Sequence, residues 1–415
     1  MAANWEWGSD LRTAANWNDN PALIDDTRDP ASTFRIVASY NGQFERLSTG
    51  SSLVFKPKVT RDYYPDKKFK DLESTDIFLP GSFRAFGPRT NLALGYNLSR
   101  QNVLSDETTL SETNTNELNA DDIVYRASLS PSFSWVATEK DQISVGVVAN
   151  ITDYDLEFTN RADSKGGGIN GSYSRSLTQR QSLGVSAGAN KFKSDNKRII
   201  ALGFPPVLVP VEINNESSSE TLTLDYGFSI SPTSKLGVSY GLQSSTTDNE
   251  ITELATGLPI PIGTGTTKFE SSTYDISYRK TTERGEFSLI ASRRIVPSSN
   301  GQPQDRYDIA FRGKTKLTKK LSGQWNLSAF DQQNIIVSAA EDELGSELNR
   351  KTRYYSADLR LNWSLDRKWR INGTYRFRYR DRDVDTTDIN PDGSVKATSN
   401  QVALGITYLW KTIQR

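Results

Sequence analysis

Several arginines near the C-terminal end of the chain recur with the period of a β-strand. Arg370, Arg376, Arg378 and Arg380 occupy positions of one parity, and Arg360 follows the same two-residue period in the segment before them. Side chains alternate between the two faces of a strand, so this spacing predicts a row of guanidinium groups on one face. Guanidinium groups hold carboxylates through paired hydrogen bonds. The pattern therefore predicts a surface that guides an anionic or hydroxyl-rich solute.

Other charged residues fall on the same predicted face of neighbouring strands. Together with the arginines above, the residues predicted to line it are Arg294, Arg312, Asp275, Asp308 and Asp358, with Arg126, Arg279, Asp225 and Glu286 as further members. Two interpretations are open. In one, the arginines select what passes, since rings of arginine favour anions. In the other, they pair with the carboxylates and simply fill a wide polar interior.

The composition gives catalysis little support. The chain has no histidine and no cysteine, which removes the commonest general base, thiolate nucleophiles and thiolate metal sites. The carboxylates of the predicted face lie on separate strands, which favours charge balance over paired-carboxylate chemistry. Lys plus Arg and Asp plus Glu are each 50, so no net charge indicates nucleic acid as a partner. We predict a protein that is not an enzyme and has no cofactor and no metal site.

The arginine row belongs to a predicted hairpin over 355–380. Its first strand alternates polar residues with an apolar set, namely Tyr355, Ala357, Leu359, Leu361 and Trp363. After a polar turn at 365–368 the same alternation resumes. Strands in soluble sandwiches usually have about five or six residues, whereas each of these is long enough to cross a bilayer at a tilt. The hairpin thus predicts one apolar, lipid-facing side and one charged, lumenal side.

This alternation recurs along the chain and predicts an all-β fold, a transmembrane antiparallel β-barrel of about 18 strands with periplasmic termini. Short polar turns alternate with longer loops, which is typical of outer-membrane barrels. Only 35% of the residues are hydrophobic and the mean hydropathy is −0.58, as expected where half of each strand faces a polar lumen. We predict a single domain, 1-415. The alternative is a large soluble all-β protein, such as a sandwich or propeller.

Local patterns add more detailed predictions. Asn41-Gly42 predicts a hairpin turn between a strand over 33–40 and another over 44–58. Pro80 predicts an interruption of a weak strand over 76–86. A long loop is predicted over 195–218.

Two apolar, proline-rich stretches, 199–211 and 254–263, stand out among the polar loops. Exposed apolar patches usually mark contacts. The hypothesis is that they restrict the pore mouth, through Phe204, Pro205, Pro206, Leu258, Pro259 and Pro261. The alternative is that they are strand extensions above the membrane.

Some segments resemble a known family. Asp19-Asn20-Pro21 after the first strand, the run Arg126 to Trp135, and turns such as Leu177-Thr-Gln-Arg180 are similar to the outer-membrane β-barrel porins associated with exopolysaccharide and exosortase (PEP-CTERM) gene clusters. The resemblance implies a barrel that exports a polysaccharide. It carries no catalytic residues.

We therefore expect an integral protein of the bacterial outer membrane that conducts exopolysaccharide during export. The alternatives are a general diffusion porin for small solutes and a barrel sheath around a partner protein. Expected partners are outer-membrane lipid, polysaccharide and periplasmic export proteins, with no nucleic acid. The sequence shows no signal peptide, from which we expect a mature chain.

Overall fold

The computed structural model describes residues 4–20, 32–102, 123–155, 162–202, 207–254, 265–297, 303–334, 351–383, 394–410 and 413–414. Within them the chain forms 18 barrel strands, three of which are interrupted. They are β1 Asn4–Asn18, β2 Thr33–Leu47, β3 Ser51–Phe55 with Lys58–Tyr63, β4 Thr75–Phe78 with Gly81–Phe86, β5 Thr90–Asn102, β6 Ile123–Val136, β7 Asp141–Tyr154, β8 Asp163–Ser176 and β9 Gln181–Leu202. They continue with β10 Val207–Ser231, β11 Ser234–Glu253, β12 Gly265–Thr282, β13 Gly285–Pro297, β14 Pro303–Lys316, β15 Leu321–Asn334, β16 Lys351–Ser364, β17 Trp369–Asp383 and β18 Ser394–Leu409 with Ile413–Gln414.

Each strand pairs antiparallel with the next, and the sheet closes on itself. β1 pairs with β18 from Asp10 opposite Leu409 to Asn18 opposite Gln401. Closure leaves no open edge whose backbone groups would go unpaired in lipid. The predicted 18-stranded antiparallel barrel is confirmed.

The two faces of the wall separate by residue parity. On β16 and β17, Leu359 lies opposite Tyr375 and both are exposed on the outside, at 44% and 41%. One residue earlier on β16, Asp358 lies opposite Arg376 on the inside. No helix in the described ranges is long and apolar enough to cross a membrane.

Short turns join the strands at one end of the barrel, and connections that are mostly longer join them at the other. The turns lie at 48–50, 87–89, 137–140, 177–180, 232–233, 283–284, 317–320 and 365–368. We call these two ends the short-turn end and the long-loop end. Beyond the long-loop end of β3, the segment 64–74 contains a short 3-10 helix, Lys67–Leu72, capped by Asp66.

Four of the short turns share one hydrogen-bond design. The hydroxyl of Thr178 accepts from the backbone N–H of Arg180 and of Gln181, both at 3.1 Å. Thr138 and Thr318 make the equivalent pairs of bonds, and Asp366 does so through its carboxylate. The turns that carry the sequence resemblance are thus side-chain-capped turns, a local solution that Thr, Ser, Asn and Asp favour.

The predicted hairpin turn at Asn41-Gly42 is wrong. β2 runs straight through this dipeptide, and the turn lies at 48–50. Tertiary contacts override the local preference: the Asn41 amide donates to Asp10 at 2.7 Å, and the Gly42 N–H donates to the carbonyl of Pro57 at 2.8 Å. A Cβ on Gly42 would lie 3.1 Å from the Pro57 ring, so glycine allows the backbone of β2 to approach Pro57 closely. The predicted strand over 44–58 is correspondingly divided between β2 and β3.

The loop predicted over 195–218 is also wrong over most of its length. β9 continues to Leu202 and β10 starts at Val207, with Asp195 opposite Asn214 and Ile199 opposite Pro210. This segment combines the apolar, proline-containing stretch 199–211 with polar residues on both sides. Pairing with β11 continues along the other side of β10, so ladder bonds outweigh the loop-like prolines and polar residues. The interruption predicted at Pro80 is confirmed, since β4 breaks at 79–80.

A polar cluster fastens the seam between β1 and β18 at the long-loop end. The Asp19 carboxylate accepts from the backbone N–H and the side-chain amide of Asn400, at 2.6 and 2.8 Å. The Asp19 N–H donates to the Asn400 carbonyl at 3.2 Å. Beside it, Asn18 accepts from the Ser399 hydroxyl at 2.9 Å and from the Asn20 N–H at 3.0 Å. We call these residues the seam latch.

Candidate functional site: the lumenal wall

The predicted lumen-lining residues lie on the inner face of the barrel, most of them on strands β12 to β17, with Asp225 on β10 and Arg126 on β6. The register places Asp275 opposite Ser292, Asp308 opposite Ser292 and Phe330, and Arg312 opposite Asn326. Arg294, Asp358, Arg360, Arg370, Arg376, Arg378 and Arg380 share that face. Their placement follows the alternation, whereas their role toward a solute stays a prediction.

Carboxylates hold some of these guanidinium groups. Arg376 Nε donates to Asp358 across β16 and β17. Asp308 serves two partners, Arg306 at 2.9 Å and Arg294 at 3.3 Å. The charge-pairing interpretation therefore applies to this subset.

Other guanidinium groups lack a carboxylate partner in the described part of the chain. Arg360 and Arg370 form no ion pair there, and Arg312 donates through Nε to the amide oxygen of Asn326 at 3.2 Å. All three side chains are exposed to the lumen. The two open interpretations thus apply to different members of one row.

Burial of the inner face increases toward the long-loop end. Arg306 and Arg378 are each only 4% exposed, and Arg382 is 7% exposed. The Arg306 guanidinium lies 4.1 Å from the centre of the Phe330 ring, which stacks on Tyr354. On the far side of the barrel Asp62 is also 4% exposed and holds Arg35 at 2.5 Å. The lumen is therefore open toward the short turns and closely packed toward the long loops.

The sequence interpretation missed several cations of this inner face. Arg306 and Arg382 lie one step beyond the predicted row, and extending the two-residue period toward the loops would have found them. Arg12 on β1 and Lys58 on β3 lie within electrostatic range of Arg360. No sequence signal predicts that approach, because it depends on how the barrel closes.

Much of the wall opposite the arginines is uncharged among the described side chains, with Arg126 on the intervening β6 as an exception. The inner faces of β5, β7, β8 and β9 carry mainly Ser, Gly, Asn, Gln, Ala and Thr. Examples of these polar side chains are Ser144, Ser172, Ser186, Asn91 and Asn97. Asparagines lie flat against glycines on the neighbouring strand: a Cβ on Gly146 would come within 2.4 Å of Asn170 Oδ1, and one on Gly168 within 2.0 Å of Asn190 Oδ1. This wall is smooth and presents hydroxyls and amides.

Basic groups outnumber acidic ones on the described inner face, although the whole chain is neutral. The cations are Arg12, Arg35, Lys56, Lys58, Arg84, Arg126, Lys235, Arg279, Arg294, Arg306, Arg312, Lys314, Lys316, Arg360, Arg370, Arg376, Arg378, Arg380 and Arg382. The anions are Glu6, Asp10, Glu45, Asp62, Asp76, Asp225, Glu253, Asp275, Glu286, Asp308 and Asp358. The lumen is therefore positively charged, and its charge lies mainly on one side.

The predicted pore-mouth residues fall outside the described residues: Phe204, Pro205, Pro206, Leu258, Pro259 and Pro261. The flanking backbone at 199–202 and 207–211 is β-strand, as the strand-extension alternative expects. Restriction of the pore mouth stays a prediction.

Solved structures share this architecture. The ferric-catecholate import receptor Fiu from E. coli K12 matches with 9% sequence identity, over 97% of this chain and 81% of that one, at a TM-score of 0.52. The FrpB iron transporter from Neisseria meningitidis matches with 6% identity, over 97% and 81%, at 0.50. A BenF-like porin from Pseudomonas fluorescens Pf-5 has 8% identity, over 98% and 99%, at 0.47.

No protein-family model and no curated protein sequence matches the chain. At the identities above, similarity to solved structures establishes the fold alone. The chain has the fold of an outer-membrane β-barrel.

Proposed function

We propose that the protein is an integral barrel of the bacterial outer membrane that conducts an acidic polysaccharide during export. The observation that carries the proposal is the uneven lumen: exposed, unpaired guanidinium groups on one wall face a smooth wall of hydroxyls and amides. The cationic wall attracts carboxylates. The opposite wall offers hydrogen bonds to sugar hydroxyls without ionic attraction.

The outer surface supports the membrane location. Large apolar residues are exposed around the barrel, for example Leu404 at 63%, Leu242 at 60% and Tyr240 at 57%. An apolar belt of this kind is stable against lipid and would be unfavourable in water. Short turns face the periplasm in such barrels. The open, cationic part of the lumen then faces the compartment in which periplasmic export proteins would deliver a polymer.

Planar-bilayer conductance of the refolded protein, with and without oligogalacturonate, tests the proposal. We expect open channels, a reversal potential in a KCl gradient that shows anion preference, and current interruptions when the acidic polymer is added. Absence of conductance would contradict the conduit. Neutral dextran of equal length is the control and should cause no current interruptions.

A general diffusion porin for small anions is the second candidate. The observation in its favour is that Arg360, Arg370 and Arg312 are exposed in the wide, short-turn half, where hydrated ions can reach them. It predicts the same reversal potential but a steady current in the presence of oligogalacturonate. The bilayer experiment therefore separates the two candidates.

A further inference from the structure

A recess of about 590 Å³ opens into the lumenal wall between β12 and β17. Ligand sites commonly have volumes of about 300–1,000 Å³. Five cations border the recess, Arg279, Arg312, Lys314, Arg360 and Arg376, but only two carboxylates, Glu286 and Asp358. The recess therefore concentrates positive charge at one place on the arginine wall.

The two carboxylates are already occupied. Glu286 binds Lys314 Nζ at 3.1 Å, and Asp358 accepts from Arg376. Arg279 and Arg360 form neither a hydrogen bond nor an ion pair in the described ranges. Arg312 forms one hydrogen bond, from its Nε to the neutral amide oxygen of Asn326. Three guanidinium groups are thus left to bind a ligand.

Like charges also surround the recess. Arg360 lies within electrostatic range of Arg12 and Lys58, which project from β1 and β3. The Nε of Arg12 is buried without a hydrogen-bond partner. Carboxylates also lie near these two cations. Asp10 is near Arg12, and both Asp62 and Asp76 are near Lys58. Each of these carboxylates is engaged elsewhere, by Asn41, Arg35 and the N–H of Asn102. Mutual repulsion among the cations would be relieved by a bound anion.

Neutral polar groups complete the lining. Ser288, Gln324, Asn326 and Thr374 border the recess together with the aliphatic side chain of Ile290. Hydroxyls and amides can both donate to and accept from sugar hydroxyls. The recess thus combines sites for anionic groups with sites for hydroxyls.

We propose that this recess is a binding site for an acidic saccharide segment, held at its carboxylates by Arg279, Arg312 and Arg360. Asn326 and Thr374 hydrogen-bond to its hydroxyls. The inference rests on the proposed function, because it identifies where the same lumen holds its solute. Arg279, Arg312 and Arg360 lie four or five residues before the short turns that end their strands, so the site is near the open end of the lumen.

Equilibrium binding tests the site without requiring conduction. Fluorescently labelled tri-galacturonate is titrated with the folded protein in detergent micelles, and fluorescence anisotropy reports binding. Arg312→Gln and Arg360→Gln are each expected to weaken binding about tenfold, since each removes a charged hydrogen-bonding partner. Labelled maltotriose, which has no carboxylate, should not bind. Heat-modifiable electrophoretic mobility verifies that each variant is folded.

Arg84→Gln is the matched control. Arg84 is an exposed, unpaired lumenal arginine on β4, three residues before a short turn, and it lies outside the recess. We expect less than a twofold change in affinity. Equal weakening by Arg84→Gln would overturn the site in favour of diffuse lumenal charge, and unchanged affinity in both recess variants would overturn it directly. Binding without bilayer conductance would overturn the conduit and leave the recess established.

Discussion

Removing the Asp19 carboxylate should loosen the seam at which the barrel closes. In Asp19→Ala two hydrogen bonds are lost, those from the Asn400 backbone N–H at 2.6 Å and from its side-chain amide at 2.8 Å. The backbone bond from the Asp19 N–H to the Asn400 carbonyl remains possible. The substitution therefore tests the side-chain part of the latch.

The expected magnitude follows from the type of bond. A hydrogen bond to a charged group contributes about 1.5–3 kcal/mol. Asp19 is partly exposed, so water replaces part of each lost interaction. We expect the free energy of unfolding to fall by about 2–4 kcal/mol for the two bonds together.

Urea-induced unfolding of the barrel in detergent micelles, followed by tryptophan fluorescence, measures this loss. Asn400→Ala and the double variant complete a thermodynamic cycle. Alanine at position 400 keeps its backbone N–H, so the coupling energy isolates the amide bond and should be about 1–2 kcal/mol. Tyr375 also donates to Asn400 at 2.9 Å, so the cost of Asn400→Ala alone includes the loss of this bond, and the cycle removes that contribution from the coupling energy.

Asp155→Ala provides the control. Asp155 also lies at the long-loop end, just after β7, and its side chain has no partner in the described ranges. Its substitution should change the free energy of unfolding by no more than about 0.5 kcal/mol. If Asp19→Ala costs no more than Asp155→Ala, or if the coupling energy is zero, the latch does not stabilise closure and the reasoning is refuted.

Three further predictions concern the turns and the outer face. The Asp366 carboxylate accepts backbone N–H bonds at 2.7 and 2.8 Å, which lower its pKa, so its stabilising effect is full above the unfolded-state pKa and is lost as pH falls through the folded-state value. In urea titrations across pH, Asp366→Ala should therefore be less stable than the native chain at neutral pH. The difference should begin to shrink near the unfolded-state pKa of about 3.9 and should vanish only below the lower folded-state pKa. A Cβ on Gly313 would lie 2.3 Å from the Trp325 ring, whereas one on Gly373 would meet nothing within 4 Å. Gly313→Val should thus cost about 1–3 kcal/mol in urea unfolding, and Gly373→Val should be tolerated. Leu404→Arg places a charge on the most lipid-exposed side of β18 and should cost up to about 2–4 kcal/mol in lipid vesicles, while Leu404→Met should be neutral.

The architecture could be predicted from the sequence because alternation is a local property. Every barrel strand needs an apolar outer face and a polar inner face, and the residues from Tyr355 to Arg380 display both over two adjacent strands. Parity also placed the predicted arginines and aspartates on the inner face. Closure then follows, since an open edge would leave backbone groups unpaired in lipid.

Local patterns failed where pairing with another segment decides the outcome. Asn41-Gly42 has the composition of a turn, but Asp10 and Pro57 hold it extended. The stretch 195–218, with its prolines and polar flanks, resembles a loop, but its two halves pair with each other from Asp195 and Asn214 up to Leu202 and Val207. In both cases pairing with a neighbouring strand or segment overrides the local composition.

The sequence also could not predict whether each arginine is buried, paired with a carboxylate or exposed. This property decides which of the two interpretations applies to each arginine. Arg378 and Arg306 are buried, and Arg376 is held by Asp358, so these residues stabilise a packed wall. Arg312 and Arg360 are exposed and form no ion pair with a carboxylate in the described residues.

In the high dielectric of a water-filled lumen, an exposed charge pair at 4 Å contributes only about 1 kcal/mol. In the proposed conduit, such weak, repeated contacts would let a charged polymer enter and also leave, which conduction requires. A cationic lining on all sides would hold the polymer more tightly, whereas the uncharged inner faces of β5 and β7 to β9 would let it slide along that side. The proposal therefore assigns passage to the one-sided distribution of charge.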